Sequence, residues 1–265
     1  MCITASVGAG GKNAQADSVI IQVLLNLNRP AALPPIAVDG AVGPGTAAAI
    51  KEFQARVMGQ AAPDGRVDPG GGTLKALQAS LPPFDPATSL TAPVLKGIMP
   101  TAMDARISLY LPGLLAGMAR RHIDTPLRQA HFLAQLGHES GAFTYAEELA
   151  SGDRYEGRAD LGNTHPGDGT LFKGRGLIQL TGRANYASYG KAVGRDLTSD
   201  IDRARTVATD PALAVDVACW FWETRSLNAL ADADDVTAIT KKINGGTNGL
   251  DDRKAYLARA RFFLK

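Results

Sequence analysis

Between residues 81 and 93 the chain reads LPPFDPATSLTAP, with prolines at 82, 83, 86 and 93 and neither lysine nor arginine. Proline fixes its own φ and lacks the amide a helix needs. Prolines this close together interrupt any helix and favour an extended, semi-rigid connection. The stretch therefore divides the chain: it predicts a small domain over residues 1–81, a linker over 82–94 and a larger domain over 95–265. No sustained alternation of apolar and polar residues appears from Met99 to Lys265, so strands are not expected to dominate there. The predicted fold class is all-α, or mainly α, with a short β-hairpin near Lys173–Thr181.

The small segment contains an internal echo. VDGAVGPGT (Val38–Thr46) and PDGRVDPGGGT (Pro63–Thr73) share Asp-Gly-x-Val, a glycine-rich turn and a threonine. Asp-Gly favours a turn, and threonine caps a helix start. Helical spacing follows each: Ile50, Phe53 and Val57 after the first, Leu74 and Leu77 after the second. An earlier stripe of Ile20, Val23, Leu24 and Leu27 adds another helix. The reading is a three-helix bundle with structured turns. The run VDGAVGPGTAAAIKEFQ resembles the three-helix peptidoglycan-binding module over about residues 17–81. That resemblance implies wall binding beside the turn Asp39–Thr46, with Asp39, Gly40, Gly43 and Thr46 as its candidate residues.

In the larger segment, Thr125-Pro126 and Asp210-Pro211 each place a capping side chain before a first-turn proline, which marks helix starts. Three stretches mix glycine with polar residues in otherwise aliphatic sequence: HESGAFTYAEEL (138–149), GRGLIQLTGRANY (174–186) and INGGTNGLDDR (243–253). Glycine lets a ligand approach the backbone, and amides bind hydroxyl groups, so these stretches suit a sugar cleft. Glu139 and Glu148 stand nine residues apart and would face opposite ways on one continuous helix. A break at Gly141 would let both serve one cleft as the acid and the base of glycoside hydrolysis. The apolar run before Glu139 is expected to desolvate it and hold its proton. Solvated glutamates at a helix end are the alternative.

The stretches AHFLAQLGHESGAF, FKGRGLIQLTGRANY, ATDPALAVDVACWFWE and INGGTNGLDDR together resemble glycoside hydrolase family 19, most closely its phage-lysin branch, and they run in the family's order. The resemblance implies a lysozyme-like α-helical domain that cuts peptidoglycan. It implies Glu139 as catalytic acid, Glu148 as second carboxylate and Thr181 as the hydroxyl that holds water. It also implies substrate contacts from Gln179, Asn185, Tyr186 and Asn244, and a charge-network arginine at Arg253. His138 is read as orienting the site. Glu156, in Tyr-Glu-Gly-Arg, is the rival base. Thr247 and Asn248 stand where the family's chitinases carry an acidic residue, which weakens an inference about chitin.

Other readings are narrower. Net charge is +2, so no nucleic-acid partner is suggested. His-Glu-Ser-Gly lacks the zincin spacing, and no metal or cofactor is expected. Cys2 and Cys219 lie far apart, and no disulfide is expected. The most apolar window, Leu109–Ala119, is too short to cross a bilayer, so no membrane insertion is expected. The first residues lack the charged and apolar regions of a secretory signal. The expectation is a monomeric endolysin made in the host cytoplasm, reaching bacterial peptidoglycan once a holin permeabilises the membrane. A lytic transglycosylase, a chitinase and a non-catalytic wall-binding protein are the other readings.

Overall fold

The computed structural model describes residues 2–265. Two compact units divide the chain. One runs to Ala102 and also takes Lys254–Lys265; the other is Met103–Arg253.

The first unit holds α1 (Gln15–Leu27), α2 (Pro44–Met58), α3 (Gly72–Ala79) and α4 (Ala92–Ile98). A two-residue pairing of β1 (Val7–Gly8) with β2 (Arg66–Val67) is the only sheet among the described residues. Helix α1 buries an unbroken run from Asp17 to Leu25. A helix apolar on most sides needs neighbours all round, and α4 supplies one with Leu95 and Ile98, both fully buried. This revises the boundary expected at 82–94. The prolines do stop a helix, but Leu81 and Leu90 are buried, Thr91 caps α4 through Val94 N, and Phe84 N donates to Lys265 O at 2.8 Å. Burial of these apolar side chains outweighs the stiffness of the segment, and the unit edge falls at Ala102.

The sequence echo is an echo of hydrogen bonds. Gln22 Nε2 donates to Asp39 Oδ1 (2.9 Å), Ala41 O and Thr46 Oγ1, and Gln22 Oε1 accepts from Gly40 N. Gln54 Nε2 donates to Asp64 Oδ1 (2.6 Å), Arg66 O and Thr73 Oγ1, and its Oε1 accepts from Gly65 N. Each glutamine is about 1% exposed and ties an Asp-Gly turn to the threonine of the next helix. Truncating one strands several buried polar groups. Gln54→Ala is expected to lower unfolding stability by about 3 kcal/mol, read by denaturant titration.

The second unit holds α5 (Asp104–Arg120), α6 (Pro126–Glu139), α7 (Asp168–Leu171), α8 (Arg183–Val193), α9 (Ile201–Thr209), α10 (Pro211–Thr224), α11 (Leu227–Asp232) and α12 (Val236–Asn244). Helix α13 (Leu250–Phe263) begins in this unit, and its residues from Lys254 belong to the first. The expected caps form: Thr125 Oγ1 accepts from Arg128 N, and Asp210 Oδ1 from Ala212 N and Leu213 N. Helices α5 and α10 pack closely because Gly117 leaves room for the Cys219 sulfur; a Cβ at Gly117 would sit 2.8 Å from it. Cys2 and Cys219 are both buried free thiols. Trp222 is buried edge-on against Phe132, 5.4 Å between centroids. The hairpin expected at Lys173–Thr181 shrinks to single bridges, Glu147 with Arg175 and Arg175 with Leu180. The positive φ of Gly176 and Gln179 curls the segment too tightly for a ladder.

Candidate active site

Glu139 is the last residue of α6, and the chain then reverses through a left-handed turn. Gly141, Ala142 and Phe143 have φ of 55°, 52° and 67°. Such backbone costs a non-glycine residue roughly 1–2 kcal/mol. Burial of Ala142 and Phe143 offsets it, with the Phe143 ring 5.6 Å from Tyr110. Ser140 fixes the corner: its Oγ donates to Leu136 O at 2.6 Å and accepts from Phe143 N at 2.9 Å. Gly141 is thus part of the break, as expected, though two bulkier residues share it.

The surroundings of Glu139 are not the apolar pocket its helix suggested. Its Oε1 accepts from Arg253 Nη2 at 2.5 Å, with the carboxylate side chain 16% exposed and the arginine 1%. Arg253 Nη1 also donates to Gln135 Oε1. Gln135 lies one turn before Glu139 on the same helix face. Buried Gln135 Nε2 and Arg253 Nε have no hydrogen-bond partner among the described residues. One residue back, His138 Nδ1 meets Asp252 Oδ2 at 2.7 Å. Adjacent residues of α6 therefore pair with adjacent residues of α13. The turn before α13 presses on this pair: at Gly249 (φ 69°) a Cβ would lie 2.0 Å from His138 Cε1. Gly249→Ala is expected to displace the imidazole and cost about 2 kcal/mol. Thermal unfolding and the His138 ring resonances check this; unshifted resonances would mean that the turn yields instead.

Glu148 sits in a second cluster. Its Oε2 accepts from Gly174 N at 3.1 Å, and its Oε1 from Arg154 Nη2 at 2.7 Å and the Tyr155 hydroxyl at 3.3 Å. Its backbone amide donates to Gly174 O, and Gly176 N donates to Ala146 O, so residues 146–148 run against 174–176. Gln179 reaches the same place: a Cβ on Gly174 would meet Gln179 Oε1 at 2.7 Å and Glu148 Oε2 at 3.2 Å. Gln179 holds φ 56°, a strained setting for a residue with a side chain. Its Nε2 donates to Gly176 O, Thr181 Oγ1 donates to Gln179 O at 2.9 Å, and Asn185 Nδ2 donates to Thr181 O at 2.7 Å. Glu148, Gln179, Thr181 and Asn185 therefore form one connected set.

Arg175 underpins it. Fully buried, it donates through Nε to Glu147 Oε1 (3.1 Å) and through Nη1 to Leu171 O (2.7 Å) and the Tyr186 hydroxyl (3.1 Å). Burial alone would raise the Glu147 carboxyl, but Arg175, with Lys173 and Arg205, outweighs burial and holds it below the ordinary range. Glu147 is thus an ion-pair residue.

Three expected site residues lie elsewhere in their roles. Tyr186 is fully buried, its ring tilted against Phe172 at 5.2 Å between centroids, and its hydroxyl donates to Lys173 O. Burial pushes this phenol well above its ordinary value. From within the core it supports Arg175, whose Nη1 donates to its hydroxyl. Glu156 gives both carboxylate oxygens to backbone amides, Gly167 N and Gly169 N, each at 2.7 Å. It tethers the loop at the start of α7. Asn244 bonds within its own turn, Nδ2 to Asn248 O and Oδ1 from Gly246 N.

In the first unit, Asp39, Gly43 and Thr46 line a pocket of about 250 Å³ with Gln22, Ile36 and Ala37. Gly40 does not line it. It is buried at φ 76°, where a Cβ would strike Gln15, so its contribution is the turn itself. Gln135, Arg154, Tyr155 and Asp252 are contacts that motif reading missed. Only Gln135, four residues before Glu139, carried a local signal.

A helical domain with carboxylates set at a helix end and beside a glycine-rich turn is the architecture of a lysozyme-like glycoside hydrolase. Residues 127–246 match the family model for class I chitinase, and residues 16–77 match that of a peptidoglycan-binding domain. A family 19 domain-containing protein of Haemophilus influenzae is 35% identical over 164 residues, covering 50% of this chain and 78% of that protein. The chain belongs to glycoside hydrolase family 19. An Arabidopsis thaliana endochitinase is 40% identical over 117 residues, 44% of this chain and 39% of the plant protein; less than half of that relative is spanned. Among solved structures, chitinase C from Streptomyces griseus aligns with TM-score 0.55 at 21% identity, covering 66% of this chain and 92% of that one. That likeness is one of fold.

Proposed function

We propose that the protein hydrolyses the glycan strands of bacterial peptidoglycan at the β-1,4 bond between N-acetylmuramic acid and N-acetylglucosamine. One observation carries this reading: a peptidoglycan-binding domain and a family 19 hydrolase domain share one chain. Tethering to the wall raises the effective concentration of glycan at the second domain. Glu139 protonates the leaving oxygen, and Arg253 must release the carboxylate for it to take up that proton. Glu148, held by Gly174 N and Arg154, assists the attacking water. Gln179 and Thr181 position sugar and water. Motifs like those of phage lysins support a role in host lysis after a holin opens the membrane, with the enzyme made in the host cytoplasm and acting as a monomer.

Mass spectrometry of digested sacculi tests the reaction. Hydrolysis at the proposed bond leaves hydrated N-acetylmuramic acid at the reducing end; 1,6-anhydro ends would establish a lytic transglycosylase instead. Chitin cleavage is a second reading, favoured by the relatives named as endochitinases. Turnover of chitin oligomers without release of muropeptides would decide for it. Binding to walls without any cleavage would make the protein a wall-binding one.

A further inference from the structure

The segment that presents Glu148 has a second face. Glu148 turns its carboxylate to Gly174 and Arg154, whereas its neighbours Glu147 and Leu149 line a separate pocket of about 430 Å³ on the other side. Ala146 joins them on that lining. The pocket lies wholly within the second unit. Arg106 and Leu109 of α5 line it together with Tyr145, Leu149, Thr209 and Pro211.

Two features point to what fits there. The first is apolar surface left in water: Leu149 is 81% exposed, Tyr145 46% and Leu109 43%. The second is charge. Glu147, the acid on the lining, is already matched by Arg175, Lys173 and Arg205. Arg106 is half-buried on the same lining and has no side-chain hydrogen bond or ion pair within the described residues. An uncommitted guanidinium beside apolar side chains suits a carboxylate carried on a partly aliphatic chain.

We propose that this pocket takes the peptide stem of the peptidoglycan strand, with Arg106 pairing a stem carboxylate and Leu109, Tyr145 and Leu149 covering its aliphatic part. The inference rests on the peptidoglycan reading above and deepens it. Leu149 follows Glu148 directly in the chain, so a glycan held at Glu148 has this pocket beside it for its peptide, and peptide-bearing strands are preferred to bare ones.

The test compares initial rates of the full chain on purified sacculi and on the same sacculi stripped of peptides by an amidase. The wild type is expected to cut intact sacculi faster. Arg106→Ala is expected to lower the intact-to-stripped rate ratio about tenfold, the scale of one charge-assisted hydrogen bond, and Arg106→Lys to restore part of it. Equal loss on both substrates would show that Arg106 supports the fold or the glycan, and would overturn the inference. A ratio unchanged in Arg106→Ala would place some other occupant in the pocket and overturn it as well. A wild type inert on both substrates but active on chitin oligomers would instead overturn the substrate reading, and the pocket assignment with it.

Discussion

Replacing Glu139 by glutamine is expected to lower the rate of peptidoglycan cleavage by about 10²- to 10⁴-fold, the range that loss of a general acid produces. Glutamine keeps the shape and the carbonyl acceptor for Arg253 but has no proton of suitable acidity to give to a leaving oxygen. The substitution leaves the peptidoglycan-binding domain match at residues 16–77 untouched, so a pelleting assay is expected to show normal retention on sacculi with little clearing. Arg253 is almost wholly buried, and loss of its counter-charge carries a stability cost. Circular dichroism and thermal unfolding therefore accompany the rate measurement. Full clearing by a folded Glu139→Gln chain would remove Glu139 from the chemistry.

The second large effect is expected at Arg175. It is the only described residue whose backbone bridges both Glu147 and Leu180, and its side chain reaches Glu147, Leu171 O and Tyr186. Arg175→Met fills much of the volume but strips the buried hydroxyl and carbonyl of their donor and leaves Glu147 short of its nearest cation. Breaking such a buried pair costs about 3–5 kcal/mol, measurable as a fall in denaturation midpoint. Activity should fall as well, because pairing of 146–148 with 174–176 holds Glu148 against Gly174. A variant as stable as the wild type would show that the pairing stands without the guanidinium.

Local signals in the sequence settled local structure well. Thr125-Pro126 and Asp210-Pro211 start helices because cap and proline act within one turn. The two Asp-Gly turns were legible as an echo, although the glutamines that bind them were not: Gln22 and Gln54 stand at unequal distances from their turns, so no fixed spacing marks them. The break after Glu139 was legible at Gly141 only. Ala142 and Phe143 adopt the same left-handed backbone against their own preference, because burying the Phe143 ring beside Tyr110 outweighs the strain. The apolar helix before Glu139 pointed to an apolar pocket, but periodicity cannot show a partner 114 residues away, and Arg253 fills that place. Tyr186 follows Asn185 in a polar motif, yet the large apolar area of its ring decides its position, and it goes inside.

The division of labour between the carboxylates is read from initial rates on purified sacculi for Glu148→Gln and Glu156→Gln beside the wild type, each checked for fold. Glu148 faces Gly174 and Gln179, whereas Glu156 gives both oxygens to the loop before α7. Glu148→Gln is expected to lose about 10²-fold or more, as removal of a general base does. Glu156→Gln should lose stability in its loop but stay within a few-fold of the wild type. A folded Glu148→Gln chain with near-normal rate, beside an inactive but folded Glu156→Gln chain, would contradict that division of labour.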